Sequence, residues 1–430
     1  MEIQNYGLRD IIFAHQAGNV KPDTVIKAAS ARADALERWL QAFCYRPSSY
    51  ETGEGLLGGV PIGVKDIIAT ADMPTTNGSV YYQHHVPEAD AWIVKKIKQY
   101  GGTVFGKTVT TEFAWRHAGP TVNAWNRLHT PGGSSSGSAA AVAAGLVPLA
   151  FGSQTLGSII RPAAFNGVVG FKPSFGSMSL EGVHPLAASL DHLGFFTRNV
   201  ADAAAAYALF AAQTPDVLGS EAAWQAHFPA AAPPTFAVIR TEAWGKADRE
   251  QQADFDAALA KLRQAGAILH EVSLPVDSDA IFAATLSILQ YEAARIHQSL
   301  IANHPEKASD ILHQLVANGL AVTDAEYNAA KMLQKQLKAD FEALVAPYDA
   351  VLTLPALGAA PLGLAFTGDS TFCAAWSLMG VPALSIPSGW SGSKLPLGLQ
   401  ICGPFGSDQK LLRTAAWAEA QLAWAPGIIS

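Results

Sequence analysis

The sequence predicts an α/β protein, and three observations carry that prediction. Phe236-Ala-Val-Ile-Arg240 reads as a strand, Glu250 to Ala265 as a helix and Ile268-Leu-His-Glu-Val-Ser-Leu as a second strand, a βαβ-like unit. Strand-like apolar segments return at Asp349-Ala-Val-Leu-Thr-Leu, Ala383-Leu-Ser-Ile and Leu399-Gln-Ile-Cys, and a closing helix from about Ser407 to Leu422 covers them. The chain has 430 residues, 49% of them hydrophobic and 15% charged, enough to bury a large core.

The elements come in order along the chain. Val25, Ile26, Ala29, Leu36, Trp39, Leu40 and Phe43 recur at helical spacing, so residues 24–43 form an amphipathic helix with Asp23 as its N-cap. Val60-Pro-Ile-Gly-Val-Lys-Asp-Ile-Ile is a short apolar segment with Lys65 in its middle. A cation is costly to bury there. Lys65 either snorkels to the surface or is a desolvated amine with a lowered pKa, fit to act as a base; position alone favours the first. Residues 90–100 read as a helix capped by Asp90 and ended by Gly101.

Two motif matches are rejected on context. Gly101-Gly-Thr-Val-Phe-Gly-Lys107-Thr108 fits the P-loop expression, but a helix precedes it, Thr103-Val-Phe is strand-like, and Thr108-Val-Thr-Thr is a poor helix start. Nucleotide binding is excluded. Gly133-Ser-Ser135-Ser-Gly137 fits a nucleophile elbow, yet the preceding Asn123–Pro131 is loop-like where the elbow needs a strand. It stays a minor alternative, with Ser135 as its nucleophile.

The stretch Thr130 to Phe175 carries the densest chemistry. Two serine-bearing Gly turns, Gly132–Ser136 and Gly152–Ser158, flank an Ala-rich segment that reads as a short buried helix. Glycine permits the close approach that a cradle of backbone N–H groups needs. Further on, Asn199 opens a well-marked helix, and residues 213–234 read as a long Pro- and Ala-rich surface connection. Residues 278–347 read as mostly helical, with Thr323-Asp-Ala-Glu326 a capping box.

This stretch resembles the signature of the amidase signature family of serine hydrolases. Gly59-Val-Pro-Ile-Gly-Val-Lys65-Asp66 resembles the segment that carries the family's lysine. Gly106–Phe113, Ser189–Gly194, Gly380–Pro387 and Pro396–Asp408 resemble further blocks, in the family's order. The resemblance implies a large mixed central sheet with helices on both faces, forming a single amidase domain over 1–430. Within it lie an N-terminal helical segment (1–50), a signature core (55–205), a variable, largely helical region (213–347) and the C-terminal part of the core (348–430).

A serine hydroxyl is a weak nucleophile until a base takes its proton. None of the 12 histidines stands in a distinctive turn, which leaves lysine. By resemblance Ser158 is the nucleophile, Ser134, after a cis Gly133–Ser134 bond, the bridge, and Lys65 the base, buried and neutral. The backbone N–H groups of Thr155, Leu156, Gly157 and Ser158 form the oxyanion hole. The family commonly has glycine where Leu156 stands, so the pocket is narrowed or the turn reshaped. Ser158-Ile-Ile-Arg161 has an arginine spacing similar to malonamidase-type members, in which the guanidinium grips a substrate carboxylate. For Arg161 that reading and a loop-tying one stand level; for Arg116, a second candidate, loop-tying leads. Glu112, Asp191 and Gln400 read as turn-holding groups, and Asp66 as a neighbour supporting Lys65. Thr371, Phe372 and Trp376 line the acyl pocket or simply pack the core.

The expected activity is hydrolysis of a carbon–nitrogen amide bond in a small carboxylated, malonamate-like amide, with no metal and no cofactor. One alternative is the amide-donor subunit of a tRNA-dependent amidotransferase. Another is a silent amidase-like scaffold, which the retained Lys65, Ser134 and Ser158 weigh against. No apolar run reaches membrane-spanning length, and the N-terminus lacks a secretory layout. A net charge of −7 disfavours a phosphate-backbone partner. The expected partners are therefore a small-molecule amide and at most a second copy in a homodimer, with no nucleic acid and no membrane. Cys44, Cys373 and Cys402 have no metal-type spacing and read as buried thiols of a cytoplasmic protein.

Overall fold

The computed structural model describes residues 1–424 and 429. Eleven strands form one mixed sheet: β1 (Phe43–Tyr45), β2 (Pro61–Lys65), β3 (Thr103–Thr108), β4 (Leu149–Gln154), β5 (Val169–Lys172), β6 (His192–Thr197), β7 (Thr235–Ile239), β8 (Ile268–Val272), β9 (Ala350–Thr353), β10 (Ala383–Trp390) and β11 (Pro396–Cys402). Their spatial order is β1-β3-β2-β4-β6-β5-β10-β11-β9-β7-β8. β2 runs parallel to both β3 and β4, and β7 parallel to both β8 and β9, while β4/β6, β5/β6, β5/β10, β10/β11 and β9/β11 are antiparallel.

Every residue of β2 to β6, β9 and β11 is buried. Strands covered on both faces cannot alternate apolar and polar residues, which is why these segments read as continuous apolar runs. The ends of the sheet, β1 and β8, are partly exposed. The anticipated βαβ unit is present, its Arg249–Gln264 helix joining the parallel β7 and β8.

Several boundaries differ from expectation for local reasons. The first long helix runs Pro22–Leu40, with Pro22 in its first turn, where proline's missing N–H costs nothing. Asp23 therefore sits inside the helix and Lys21 takes the cap position without a side-chain hydrogen bond. Asp90 does not cap Trp92–Gln99; it accepts from the Ala71 N–H and pairs with Lys98 at 2.8 Å. Residues 213–234 hold a helical turn at Pro215–Leu218 and a helix at Glu221–His227 rather than a plain connection. Cys373 and Cys402 are buried, but Cys44, on the edge strand β1, is exposed.

The Ala-rich segment is the buried helix Ser136–Ala143, pressed so closely on the sheet that a Cβ on Gly137 would lie 2.1 Å from the Ala42 carbonyl oxygen. Residues 278–347 form three α-helices, Ser278–Asn303, Asp310–Ala321 and Asp324–Val345, the last opened by the Thr323/Glu326 capping box. The first two pack side by side and lean over the end of the sheet where β2 and β4 stop.

Candidate active site

Because β2 and β4 are parallel neighbours, their C-terminal ends lie together, placing Lys65 beside the turn after Gln154. Carboxyl ends of strands in an α/β sheet are where ligands generally bind, since the chain leaves the sheet there in loops. Lys65 has no exposed surface, so its amine neither snorkels nor meets bulk water. Its Nζ is 2.7 Å from Ser134 Oγ and 2.8 Å from Ser153 Oγ. Burial pulls its pKa down to about 7, against a smaller opposing pull from the Asp191 carboxylate. An amine so placed is largely uncharged just above neutral pH and can accept a proton.

The Gly133–Ser134 peptide is cis. Ser134 and Ser158 line the same cavity of about 430 Å³. Among the described residues the Ser158 side chain makes no hydrogen bond, so the structure joins Lys65 to Ser134 but not Ser134 to Ser158. Catalytic hydrogen bonds are often long without substrate and tighten once it binds.

Ser135 is excluded as nucleophile by its surroundings. It is fully buried, its hydroxyl donates to the Ser153 carbonyl and accepts from the Ser153 N–H, and a loop rather than a strand precedes it. Gly152 allows this packing, because a Cβ there would lie 2.7 Å from Ser135 Oγ.

The turn from Thr155 to Ser158 is held from outside. Gln154 Oε1 accepts from the N–H groups of Ile159 and Ile160, and its Nε2 donates to Ser377 Oγ. The Ser377 hydroxyl donates to the Leu156 carbonyl at 2.6 Å, and the Thr155 hydroxyl donates to Asp191. With these partners fixed, the N–H groups of Thr155, Leu156, Gly157 and Ser158 bond nothing among the described residues, and all four residues line the cavity. Consecutive unbonded N–H groups are a ready site for a developing negative charge. Leu156 does not occupy the left-handed region, so leucine fits without reshaping the turn, and its side chain narrows the cavity instead.

Both arginines line the cavity, and their surroundings reverse the order expected of them. Arg161 is buried; its guanidinium donates to the Gly133 carbonyl at 2.7 Å and to Thr367 at 3.5 Å, which ties the serine loop, while its Nε has no partner among the described residues. Arg116 is exposed, stacks over Trp115 at 4.6 Å and makes no hydrogen bond among the described residues. Arg116 is thus the freer cation. It sits in a loop where Phe113, Ala114 and Arg116 all have positive φ, 46°, 60° and 34°. Such backbone costs about 1–3 kcal/mol per residue and tends to persist at functional sites.

Asp191 holds its turn as expected, accepting from the N–H groups of Leu186 and Ala187. Glu112 accepts from Ser79 and Ser309, and Gln400 donates to the Leu354 and Phe372 carbonyls. Asp66 is corrected: it sits in the turn just past β2, faces Lys107 at 3.6 Å and accepts from the Thr76 N–H instead of supporting Lys65. Phe372 and Trp376 are core residues outside the cavity. Sequence reasoning missed Ser153, Gln154 and Ser377, and also Asp369, which lines the cavity. Only Ser153 and Gln154 carried a signal, their place in the second Gly/Ser turn.

The chain matches the Amidase family over residues 12–412. The glutamyl-tRNA(Gln) amidotransferase A subunit of Halothermothrix orenii is 32% identical, over 96% of this chain and 96% of that protein. A crystal structure of an amidase is 31% identical with a TM-score of 0.86, covering 97% of this chain and 100% of that one. The glutamyl-tRNA(Gln) amidotransferase A subunit of Thermotoga maritima is 27% identical with a TM-score of 0.81, covering 97% and 95%.

These relatives overturn one expectation. Their name specifies one subunit of a larger assembly and a charged tRNA, against a chain that meets only a small-molecule amide and no nucleic acid. Net charge describes the whole surface, and it is silent on a nucleic acid brought by another polypeptide. No helix among the described residues is long and apolar enough to cross a membrane. The chain belongs to the amidase family and is an amidase-type enzyme acting on amide carbon–nitrogen bonds.

Proposed function

We propose that the chain releases ammonia from a carboxylated primary amide and serves as the amide-donor subunit of an amidotransferase, within one amidase domain spanning 1–430. The observation that carries the chemistry is a fully buried Lys65 holding Ser134 at 2.7 Å on the wall that also presents Ser158. Ser158 Oγ attacks the amide carbonyl while its proton passes through Ser134 to Lys65. The N–H groups from Thr155 to Ser158 take the negative charge of the tetrahedral intermediate. The proton returns to the leaving nitrogen, the carbon–nitrogen bond breaks and ammonia departs. Water, activated by the same groups, then cleaves the acyl-enzyme to the free acid.

Arg116, with the Arg161 Nε that has no partner among the described residues, suits a substrate carboxylate. Asp369 lines the same cavity and suits an ammonium group. An amide bearing both charges, such as L-glutamine, fits that pair. The donor-subunit role is supported by 32% identity across 96% of a protein so named. Ammonia would then pass to partner chains that act on the charged tRNA.

A second reading, a free-standing hydrolase of a malonamate-like amide, is favoured by Arg161 three residues after Ser158. Ammonia release from L-glutamine and from malonamate, measured for the chain alone, separates the two. The donor role predicts that L-glutamine is preferred; strong turnover of malonamate with none of L-glutamine supports the second reading and overturns the first.

A further inference from the structure

Arg116 reaches the cavity at the end of a loop whose shape needs outside support. Phe113, at φ 46° and ψ 37°, Ala114 and Arg116 all lie in the left-handed region, and none of them is glycine. Residues with a Cβ stay there only where their surroundings enforce it. The support gathers on Phe113, whose side chain is buried and lies outside the cavity. Its ring centre is 4.7 Å from that of His297, 5.1 Å from His184, 5.9 Å from Tyr82, met edge-on, and 6.1 Å from Tyr81. The two histidine rings stack on one another at 5.5 Å. Offset and edge-on pairs at such spacings are the attractive arrangements for flat rings. His297 comes from the Ser278–Asn303 helix, and His184 from the loop before β6, where its N–H donates to the Ile67 carbonyl at 2.8 Å. Burial pulls the pKa of His184 down to about 4 and that of His297 to about 3, so both rings are uncharged at neutral pH and pack as aromatic groups. Each nonetheless buries an Nε2 with no partner among the described residues, a cost that a phenyl ring would avoid.

We infer that His297 is a positioning residue for Arg116: with His184 it closes an aromatic box around Phe113, and the box holds the left-handed loop that carries the guanidinium to the cavity wall. This rests on the reading of Arg116 as the partner of the substrate carboxylate. Neither histidine lines the cavity, so the Ser278–Asn303 helix governs the preference for a charged substrate through Phe113 and not by contact. The anchoring is reinforced one residue earlier, where buried Glu112 accepts from Ser79 and from Ser309, the N-cap of Asp310–Ala321. Lys65 and the two serines lie outside this loop, and Gln154 and Ser377 hold the turn before Ser158. Loosening the box should therefore weaken substrate binding more than it slows the chemistry.

Steady-state ammonia release tests this on two pairs of amides, each a charged member and its uncharged counterpart: L-glutamine with L-glutaminol, and malonamate with malonamide. His297→Ala removes the ring, and His297→Leu fills most of the space without a flat face. Each should cut kcat/KM about 3–30-fold for the charged member, mainly through KM, and leave the uncharged one within about twofold. His297→Phe keeps the ring, sheds the unpartnered nitrogen and should restore the parent's preference. In an Arg116→Ala background His297→Leu should cost nothing further, because the histidine acts only through that arginine. Equal losses on charged and uncharged amides, or an undiminished preference in both His297→Ala and His297→Leu, overturn the positioning role. If Arg116→Ala harms only the charged amides while the His297 variants do not discriminate, this inference alone falls. If Arg116→Ala harms both members of each pair alike, the carboxylate reading falls and takes this one with it.

Discussion

Lys65 and Lys172 occupy equivalent places in two regions of the sheet and show what turns a buried amine into a base. Each ends a strand, β2 or β5, each has no exposed surface, and burial pulls each pKa down to about 7. Their neighbours differ. Lys65 faces two hydroxyls, Ser134 and Ser153, one of them on the cavity wall. Lys172 donates to the Val381 and Pro173 carbonyls and lies away from the cavity. A carbonyl oxygen can only accept, so it holds the amine's protons in place; a hydroxyl can pass one on. Desolvation shifts the amine towards its neutral form in both regions, and only a hydroxyl linked to a cavity makes that shift useful.

The comparison breaks most visibly by mutation. Ser158→Ala should lower ammonia release by about 10⁴–10⁶-fold, and Lys65→Ala by about 10²–10⁴-fold. Lys172→Met should leave the pH profile of ammonia release in place, because Lys172 touches no group in the cavity. A Lys172→Met enzyme with the altered pH profile of a lost base would remove the distinction between the two amines. Lys172→Met should instead act on stability. A lysine whose folded pKa lies below its unfolded value binds more protons when unfolded, so stability rises with pH between about 7 and 10.5. Urea titrations across that range should show a shallower rise for the variant than for the parent; an identical slope would contradict the assignment.

Gln154→Ala sharpens the comparison at the next level, the turn that receives charge. It strips partners from the N–H groups of Ile159 and Ile160 and frees Ser377, and should cost about 10–100-fold in kcat with a smaller change in KM. A change confined to KM would show that the turn keeps its shape without the amide. The narrowest effect belongs to Arg116→Ala, a loss of about 10–100-fold in kcat/KM for a carboxylated amide and none for an uncharged one. Equal losses for both amides would return Arg116 to a loop-tying role.

Much of this was legible in the sequence because the chemistry lies in two short turns and one strand end. Lys65 stood out as a cation among valine and isoleucines, and the Gly/Ser turns marked Ser134 and Ser158. Ser153 was harder to see, because it is the fifth residue of β4 and looked like part of the same turn. The partner of Asp66 was misread because the chain turns just past β2, so adjacency to Lys65 in sequence does not aim the two side chains at one another. Asp23 and Asp90 were misread as caps because an acidic residue near a helix start fits a cap, a first turn or a salt bridge equally well. The cavity wall built from Phe282, Leu286, Leu289, Ile311, Leu315 and Phe366 was not visible at all, because only two helices and a distant loop bring these residues together.

The pH dependence of fluorophosphonate labelling at Ser158, compared between the parent enzyme and Lys65→Ala, tests the proton path most directly. A base with a pKa of about 7 predicts a labelling rate that climbs through that pH and then levels, and a slow rate without the rise in Lys65→Ala. A rate indifferent to pH in the parent, the same rise in both proteins, or label found on Ser135 would contradict it.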